Sequence, residues 1–455
     1  MRIRALATGL FAAVLSCSLF SSTPYALSLE ERVTEDALSI MESRYLYWNP
    51  NDKEKCRVEI SQYVSKKLAT EEKEQRGETS DVSTSGGDGA TEGDGTSAAM
   101  PASKPCLDKF SYVLTPKETR MELERMSGSL QGIGAMMREA SGRVTVMKVF
   151  KDSPAERAGV RAGDVLLKAR NTNESDFLVF RNIRDAVDKI RGPKDTVVHI
   201  VIERGGVVMS PLAIRRGAVM VPSVESQIVE GVGYAAIESF GERTGDELED
   251  ALLEFKKKHI SRVIIDVRDN PGGLVMGVLE TLYYFSSNPK DVMMTERFRG
   301  QNEKALSICY PERPRSDIFP CSFPFAHSGT YDVKTPGRFE DMKIVVLVNK
   351  YSASASEIFA GTLKDWGVNR KGIAIVGKPT YGKGVGQIRT GLVDGFSIVI
   401  TTFEYFVGNS KTAVNEIGVF PNYIVSDTRE GNPENTLTER DAQFRTGLSV
   451  LKEMQ

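Results

Sequence analysis

Two unbroken apolar strands, each running into a turn and then a helical stretch, constrain the fold of this chain most strongly. Arg262–Val267 leads into Asn270–Gly273 and a helical run that ends near Phe285. Lys343–Val348 leads into small residues and a helical run that ends near Trp366. Strands without polar alternation are typical of sheets buried on both faces, so the pattern predicts an α/β core.

The chain of 455 residues is long enough for about three domains, if one domain takes roughly 150 residues. We predict a helical N-terminal region at 27–127, with helix from about Leu29 to Ala69. Within it, 70–104 holds mostly Gly, Ser, Thr, Asp and Glu, which cannot bury a core, and is predicted to be a flexible loop. A small domain of short strands and two helices follows at 128–208, then the core at 209–428 and a terminal helix within 429–455.

Charge and the first residues indicate where the protein works. Lys and Arg number 59 against 61 Asp and Glu, so no positive field attracts nucleic acid, which we do not expect as a partner. Arg2 and Arg4 precede an apolar run, the order typical of a signal peptide, predicted at 1–26. Cleavage after Ala26 competes with lipidation of Cys17. We expect an exported protein of a bacterial periplasm or envelope, either soluble or a lipoprotein.

Four cysteines remain beyond Cys17, and an oxidising compartment allows three pairings among them. The local pairing is favoured, Cys56 with Cys106 and Cys309 with Cys321, because each pair brackets a loop-like segment. Four unpaired buried thiols are the alternative. With only three histidines and no CxxC motif, no metal site and no cofactor are expected.

The small-residue turn Tyr351–Glu357 contains candidate nucleophiles. Small residues between a strand and a helix expose a serine, and N–H groups at the helix start can stabilise an oxyanion. No histidine lies in a motif suited to a Ser-His-Asp triad, whereas a desolvated lysine can replace histidine as the base. Lys383, which lies between two glycines, fits that role. Ser352 and Ser356 are the alternative nucleophiles, with helix capping as their structural role.

Two other hydrolytic chemistries are disfavoured by the sequence. Gly377–Lys383 matches the GxxxxGK phosphate loop, but Gly384 follows where Mg²⁺ binding needs Ser or Thr. Glu238 and Asp266 are carboxylates that no sequence pattern brings to one site.

The small domain resembles PDZ domains. The resemblance rests on the Gly132–Gly134 loop, Ser153–Gly159, Gly163-Asp164 and Arg191–Lys194. PDZ domains add a peptide strand to a sheet edge and hold its terminal carboxylate with backbone N–H groups. The resemblance implies that the holding loop here is Gly132, Ile133, Gly134 and Ala135. A domain that only spaces other parts is the alternative.

Three ordered motifs of the core resemble the carboxy-terminal processing proteases, also called tail-specific proteases. These motifs are Asp266–Gly273, Ser352–Glu357 and Gly377–Gly384 with Gln387. The resemblance covers about Leu29 to Val425. It implies an α/β protease core similar to the crotonase and Clp-protease folds, with an inserted PDZ domain and a helical N-terminal region.

The family pattern implies roles for particular residues. Ser354 is the implied nucleophile, Lys383 the base, and Gln387 the residue that orients the lysine. The implied oxyanion hole is the N–H of Ala355 together with that of Gly273 or Gly272. The spacing between Ser354 and Lys383 exceeds the usual family spacing, because 367–372 is an expanded loop that should leave the pair intact.

The sequence therefore predicts a serine endopeptidase that cuts proteins near their C-terminal ends, with the PDZ domain capturing flexible tails. A regulatory adaptor and a homo-oligomer are compatible with this prediction. The competing hypothesis is a catalytically silent PDZ scaffold of the cell envelope. The complete set of motif residues argues against a degenerate relative.

Overall fold

The structure is a computed structural model that describes residues 27–75, 106–140, 142–307, 336–368, 372–430 and 432–454. Helices span α1 Leu29–Arg44, α2 Lys53–Gln75, α3 Pro116–Ser127, α4 Pro154–Arg157, α5 Ile183–Ile190, α6 Thr244–Lys257, α7 Val275–Tyr283, α8 Ala355–Gly367 and α9 Ala442–Glu453. Strands up to residue 220 are β1 Tyr112–Leu114, β2 Ser129–Gly132, β3 Ala135–Ala140, β4 Arg143–Val149, β5 Val165–Asn171, β6 Leu178–Val179, β7 Val197–Arg204, β8 Val207–Val208, β9 Leu212–Arg215 and β10 Gly217–Met220. Later strands are β11 Val224–Val229, β12 Val232–Ile237, β13 Arg262–Asp266, β14 Val292–Phe298, β15 Lys304–Ser307, β16 Lys343–Val348, β17 Ile373–Gly377, β18 Val385–Gly391, β19 Ser397–Val407, β20 Thr412–Ala413 and β21 Tyr423–Ile424.

The N-terminal region packs α1 and α2 against the core. The predicted helical stretch is two helices, because the chain turns at Tyr45–Pro50 before α2 begins. Helix α2 continues to Gln75 and so extends into the segment 70–104, which the sequence predicts to be a loop. The remainder of that segment lies outside the described residues. Strand β1 pairs antiparallel with β19, which joins this region to the core by backbone hydrogen bonds.

The small domain is a seven-stranded antiparallel sheet with β3 at one edge. Its two helices, α4 and α5, lie within the predicted range 128–208, and the sheet continues through β9, beyond residue 208. A separate cluster of buried aliphatic side chains forms its core, so the domain has an interior of its own. Strand β2 is not part of this sheet. It pairs with β10 in a separate two-stranded sheet, which joins the two ends of the domain.

The core contains a mostly parallel sheet in the order β11-β12-β13-β16-β17-β21. Alternate residues of its strands face opposite sides: Val263 and Ile265 pack with α6, α7 and α8, whereas Ile264 packs with α9. Both faces are therefore covered, which explains the unbroken apolar runs. A second six-stranded sheet, built around β19, packs against α8 and receives the N-terminal region.

The predicted α/β class, with a protease-like core and an inserted small domain, is confirmed. The finer comparison with the crotonase and Clp-protease folds stays a prediction. The terminal helix lies within the predicted range 429–455 and begins at Ala442, because the Asp441 side chain caps its N-terminus. Cys309, Cys321 and the 1–26 segment lie outside the described residues. Within those that are described, no helix is long and apolar enough to cross a membrane.

Candidate active site

Ser354 lies at the N-terminus of α8 in a backbone conformation that few residues other than glycine adopt. Its φ and ψ are 55° and −114°. A non-glycine residue in such a region costs of order 1–3 kcal/mol, which only the surrounding structure can sustain. Ala353 donates its N–H to the Asn270 carbonyl at 3.0 Å, which fixes the turn just before the serine. The strain therefore presents the Ser354 side chain at the end of the sheet.

The two neighbouring serines are engaged in the interior. Ser352 Oγ donates to the Val267 carbonyl at 2.7 Å, and Ser356 Oγ donates to the Asn270 carbonyl at 2.9 Å. Both side chains are fully buried. Ser354 Oγ makes no such bond to a described residue, so it alone of the three is available for chemistry.

Lys383 lies in the loop between β17 and β18, with Gly384 between it and the start of β18. Its ammonium nitrogen lies 4.9 Å from the centre of the Phe110 ring. Burial lowers the pKa of Lys383, while the charges of Asp108 and Glu357 act in the opposite direction. A strand follows Lys383 where a phosphate loop would need a helix, so the nucleotide-binding alternative has no structural support.

One carboxylate connects the serine and the lysine. Glu357 Oε2 accepts hydrogen bonds from the backbone N–H groups of Ser354 and Lys383, each at 2.8 Å. Its Oε1 accepts from Thr380 Oγ1 and the Gly382 N–H, each at 2.6 Å. Burial is the largest influence on the Glu357 carboxyl and raises its pKa, although the four hydrogen bonds oppose the shift.

A tyrosine connects the same two residues from the other side. The Tyr405 hydroxyl lies 3.1 Å from the Ser354 carbonyl and 2.5 Å from the Lys383 carbonyl, and it can donate to either one. Burial raises the pKa of Tyr405 well above its ordinary range, so the hydroxyl keeps its proton. Ser354 and Lys383 are thus fixed to each other through both a shared carboxylate and a shared hydroxyl.

The glycine turn after β13 approaches the start of α8 closely. A Cβ on Gly272 would lie 2.9 Å from the Ala355 nitrogen, and one on Gly273, whose φ is 145°, would lie 2.1 Å from the Phe240 carbonyl. Gly272 donates its N–H to Asn270 Oδ1 at 2.8 Å, so that group is occupied. The N–H groups of Gly273 and Ala355 have no acceptor in the described part of the chain. Gly273 is therefore the better of the two predicted oxyanion donors.

Gln387 lies on β18, opposite Thr401 of β19. Its amide nitrogen is 3.5 Å from the Val385 carbonyl, and no hydrogen bond joins it to Lys383. The predicted orientation of Lys383 by Gln387 stays a prediction. Contacts with Glu357 and Tyr405, which the sequence interpretation missed, position the lysine backbone here.

A buried ion-pair network supports the glycine turn. Arg268 contacts Asp266 at 2.6 Å and Asp441 at 2.8 Å, and its side chain is fully buried. Tyr234 donates its hydroxyl to Asp266 at 2.7 Å. Asp266 therefore holds the turn to α9, and it makes no pair with Glu238.

The predicted peptide-binding loop lies at the edge of the small domain. Gly134 has a φ of 81°, and a Cβ there would lie 2.4 Å from Ser153 Cβ, so only glycine fits. Ile133 and Gly134 have backbone N–H groups without an acceptor among the residues described. Ala135 begins β3, an edge strand whose open side faces α5.

Cys56 and Cys106 form a disulfide, with their Cα atoms 5.2 Å apart. The bond joins α2 to the segment that contains Phe110, whose ring lies beside the Lys383 amine. No cluster of side chains that could hold a metal ion occurs in the described ranges.

Two parts of the chain match known families. Residues 145–204 match the PDZ domain, and residues 231–425, which carry Ser354 and Lys383, match peptidase family S41. This second range of the chain is similar to the protease domain of that family. The predicted resemblance to carboxy-terminal processing proteases is thereby confirmed.

A curated relative is similar to this chain over part of its length. A Staphylococcus saprophyticus protein named "Probable CtpA-like serine protease" is 30% identical over 316 residues, which are 70% of this chain and 57% of that protein. This chain thus spans less than two thirds of that relative's length.

Two solved structures are similar at lower identity. The photosystem II D1 C-terminal processing protease is 21% identical with a TM-score of 0.44, covering 88% of this chain and 94% of that one. The PDZ domain of a carboxy-terminal protease from Vibrio cholerae, solved with a peptide, is 23% identical with a TM-score of 0.19, covering 20% and 99%. With TM-scores this low, neither likeness adds to what the residues of this chain show.

Proposed function

We propose that the protein is an exported serine endopeptidase in which Ser354 is the nucleophile and Lys383 the base. The observation that carries this proposal is the shared fixation of the two residues. Glu357 and Tyr405 each reach both of them, and Ser354 is the one serine of its turn whose hydroxyl is not engaged in the interior. An arrangement that holds a nucleophile and a base in fixed register is what covalent catalysis requires.

The reaction follows from these positions. The Ser354 hydroxyl proton moves to the neutral amine of Lys383 as Oγ bonds to the substrate carbonyl carbon. The oxygen that becomes negative is stabilised by the N–H groups of Gly273 and Ala355. Lys383 then gives the proton to the leaving amine, and the C–N bond breaks to leave an acyl-enzyme. Water, deprotonated by Lys383, releases the new carboxyl terminus and regenerates the serine.

The small domain would select the substrate. A flexible C-terminal tail would add as a strand to the open edge of β3, opposite α5. The free N–H groups of Ile133 and Gly134 would hold its carboxylate. Cleavage near the C-terminal end then follows, because the captured tail leads to the adjoining core.

The proposal is tested by a substitution and a matched control. Purified protein is incubated with an unfolded substrate that carries a free C-terminal tail, alongside Ser354→Ala, Lys383→Ala and Ser410→Ala. Ser410 is exposed on a turn, so its variant should keep full activity. The first two variants should lose cleavage. Equal cleavage by Ser354→Ala and the wild type would exclude the mechanism, and no cleavage by the wild type would favour a PDZ scaffold.

Tail capture and export need separate measurements. Amidating the substrate's C-terminus removes the charge that the loop holds, so KM should rise while kcat stays similar; an unchanged KM would exclude tail capture. Cell fractionation of the full chain tests export. Protein confined to the cytoplasm would contradict it.

A further inference from the structure

A short segment of the N-terminal region brings a carboxylate to the active site. Leu107–Ser111 runs between the disulfide at Cys106 and strand β1. Its Phe110 ring lies beside the Lys383 amine, and Asp108 exerts the largest charge influence on that amine. The segment lies outside the matched range 231–425 of the protease family.

Asp108 forms hydrogen bonds through its backbone N–H and one of its two carboxylate oxygens, but not through the other. Its N–H donates to the Tyr45 hydroxyl at 2.8 Å, and its Oδ2 accepts from Thr401 Oγ1 at 2.9 Å. Its Oδ1 is buried and has no hydrogen-bond partner in the described structure. Leaving a buried carboxylate oxygen unpaired costs free energy, so such an atom calls for an explanation.

The charges around Lys383 come from three directions. Asp108 lies on the segment before β1, Glu357 on α8, and both Arg125 and Glu122 on α3. Glu357 already accepts four hydrogen bonds that share its charge. Glu122 accepts two hydrogen bonds from Arg125. Of these three carboxylates, Asp108 is therefore the one with an oxygen that has no hydrogen-bond partner in the described structure.

We propose that Asp108 is a positioning residue that stabilises the Lys383 ammonium formed when the amine takes the Ser354 proton. This inference rests on the proposed Ser354–Lys383 mechanism. The proton moves from Oγ to Nζ, and Asp108 takes no part in the transfer. Burial destabilises the ammonium that forms when a neutral Lys383 takes the proton, and the negative charge of Asp108 offsets part of that cost. The carboxylate thus acts on the lysine as the aspartate of a triad acts on its histidine.

The test is the pH dependence of kcat/KM for Asp108→Asn. Removing the negative charge lowers the pKa of Lys383, so the acidic limb should move to lower pH by ~1 unit. The limiting rate at high pH should fall about tenfold, because the ammonium loses its counter-charge. At low pH the ammonium is present before and after proton transfer, so the two rates should converge there. A limb at the wild-type position, with the rate lowered equally at every pH, would overturn the proposal.

Two further variants keep the test decisive. If Asp108→Asn does not fold, Asp108→Ser removes the same charge and should move the limb in the same direction. Asp108→Glu keeps the charge and should restore most of the limiting rate. If Asp108→Asn and Asp108→Ser both fold and both leave the acidic limb where it is in the wild type, the proposal is wrong.

Controls separate this proposal from loosening of the segment and from the dyad itself. Glu59 holds the same segment by accepting the Cys106 N–H at 2.6 Å but does not face Lys383. Glu59→Gln should therefore leave the limb in place, and a shifted limb would contradict the assignment to Asp108. Activity that persists in Lys383→Ala would exclude the dyad, whereas its loss together with an unmoved Asp108→Asn limb would exclude only the role of Asp108.

Discussion

Replacing Glu357 by glutamine perturbs the hydrogen bonds through which this side chain links Ser354 to Lys383, while keeping the size of the side chain. The carboxylate has four donors, of which three are backbone N–H groups that cannot reverse. The fourth is the Thr380 hydroxyl, which can turn to accept a hydrogen bond. We therefore expect the amide NH2 to face Thr380 and Gly382, with the amide oxygen left for Ser354 and Lys383.

The magnitude follows from this geometry. The Gly382 N–H would face an amide nitrogen and lose its acceptor, which costs ~1–3 kcal/mol. The Ser354 and Lys383 N–H groups would bond to a neutral oxygen, which is weaker by about 1 kcal/mol each. Burial of the charged carboxylate is unfavourable and raises the pKa of Glu357. The neutral amide avoids this cost, which offsets part of the lost hydrogen-bond energy. The free energy of unfolding should fall by about 3 kcal/mol, and kcat about 100-fold if the serine shifts by ~1 Å.

Urea unfolding and steady-state cleavage of a tail-bearing substrate measure the two effects. Thr380→Ser keeps the hydroxyl and is the matched control, with stability and kcat close to the wild type. If Glu357→Gln retains both wild-type values, the carboxylate does not position the pair, and the reasoning from shared hydrogen bonds is refuted.

Three further predictions concern the supports of the site. Cys106→Ser breaks a disulfide that spans 50 residues, so unfolding should cost about 4 kcal/mol less, and an unchanged urea midpoint would contradict this. Asp441→Asn leaves the buried Arg268 guanidinium with Asp266 as its one carboxylate partner, so stability measured in urea should fall by ~3–5 kcal/mol; a loss below ~1 kcal/mol would argue against the network. Gly273→Ala should abolish cleavage because its methyl would overlap backbone, whereas Gly391→Ala, which meets no atom within 4 Å, should cleave normally; equal rates for both would exclude a tight turn.

The sequence predicted the strands and helices of the core closely because their cause is local. Arg262–Val267 and Lys343–Val348 are buried on both faces, and an apolar run of strand length has few other outcomes. The small domain likewise has local signals for its helices, such as Ser153, whose side chain caps α4. The break at Tyr45–Pro50 was missed, because apolar spacing continues across it.

The supports of the site were less predictable because they depend on distant contacts. Glu357 lies at the third position of α8, where an acidic residue ordinarily caps its own helix. Only the fold shows that its carboxylate also reaches Gly382 and Lys383. Tyr405 carries no local signal, since an aromatic residue in a buried strand is ordinary. That Gly272 already donates its N–H likewise depends on the conformation of the turn.

The pairing of β1 with β19 has a practical consequence for anyone isolating the protease domain. A fragment cut at 231 and 425 would keep Ser354 and Lys383 but lack β1, which leaves one edge of β19 unpaired along Ser397–Val399. Exposed strand edges recruit other strands, so such a fragment should associate with itself. It would also lack Phe110, whose ring shields the lysine from water. The residues that match the family therefore do not include all of those that complete the sheet and surround Lys383 in this chain.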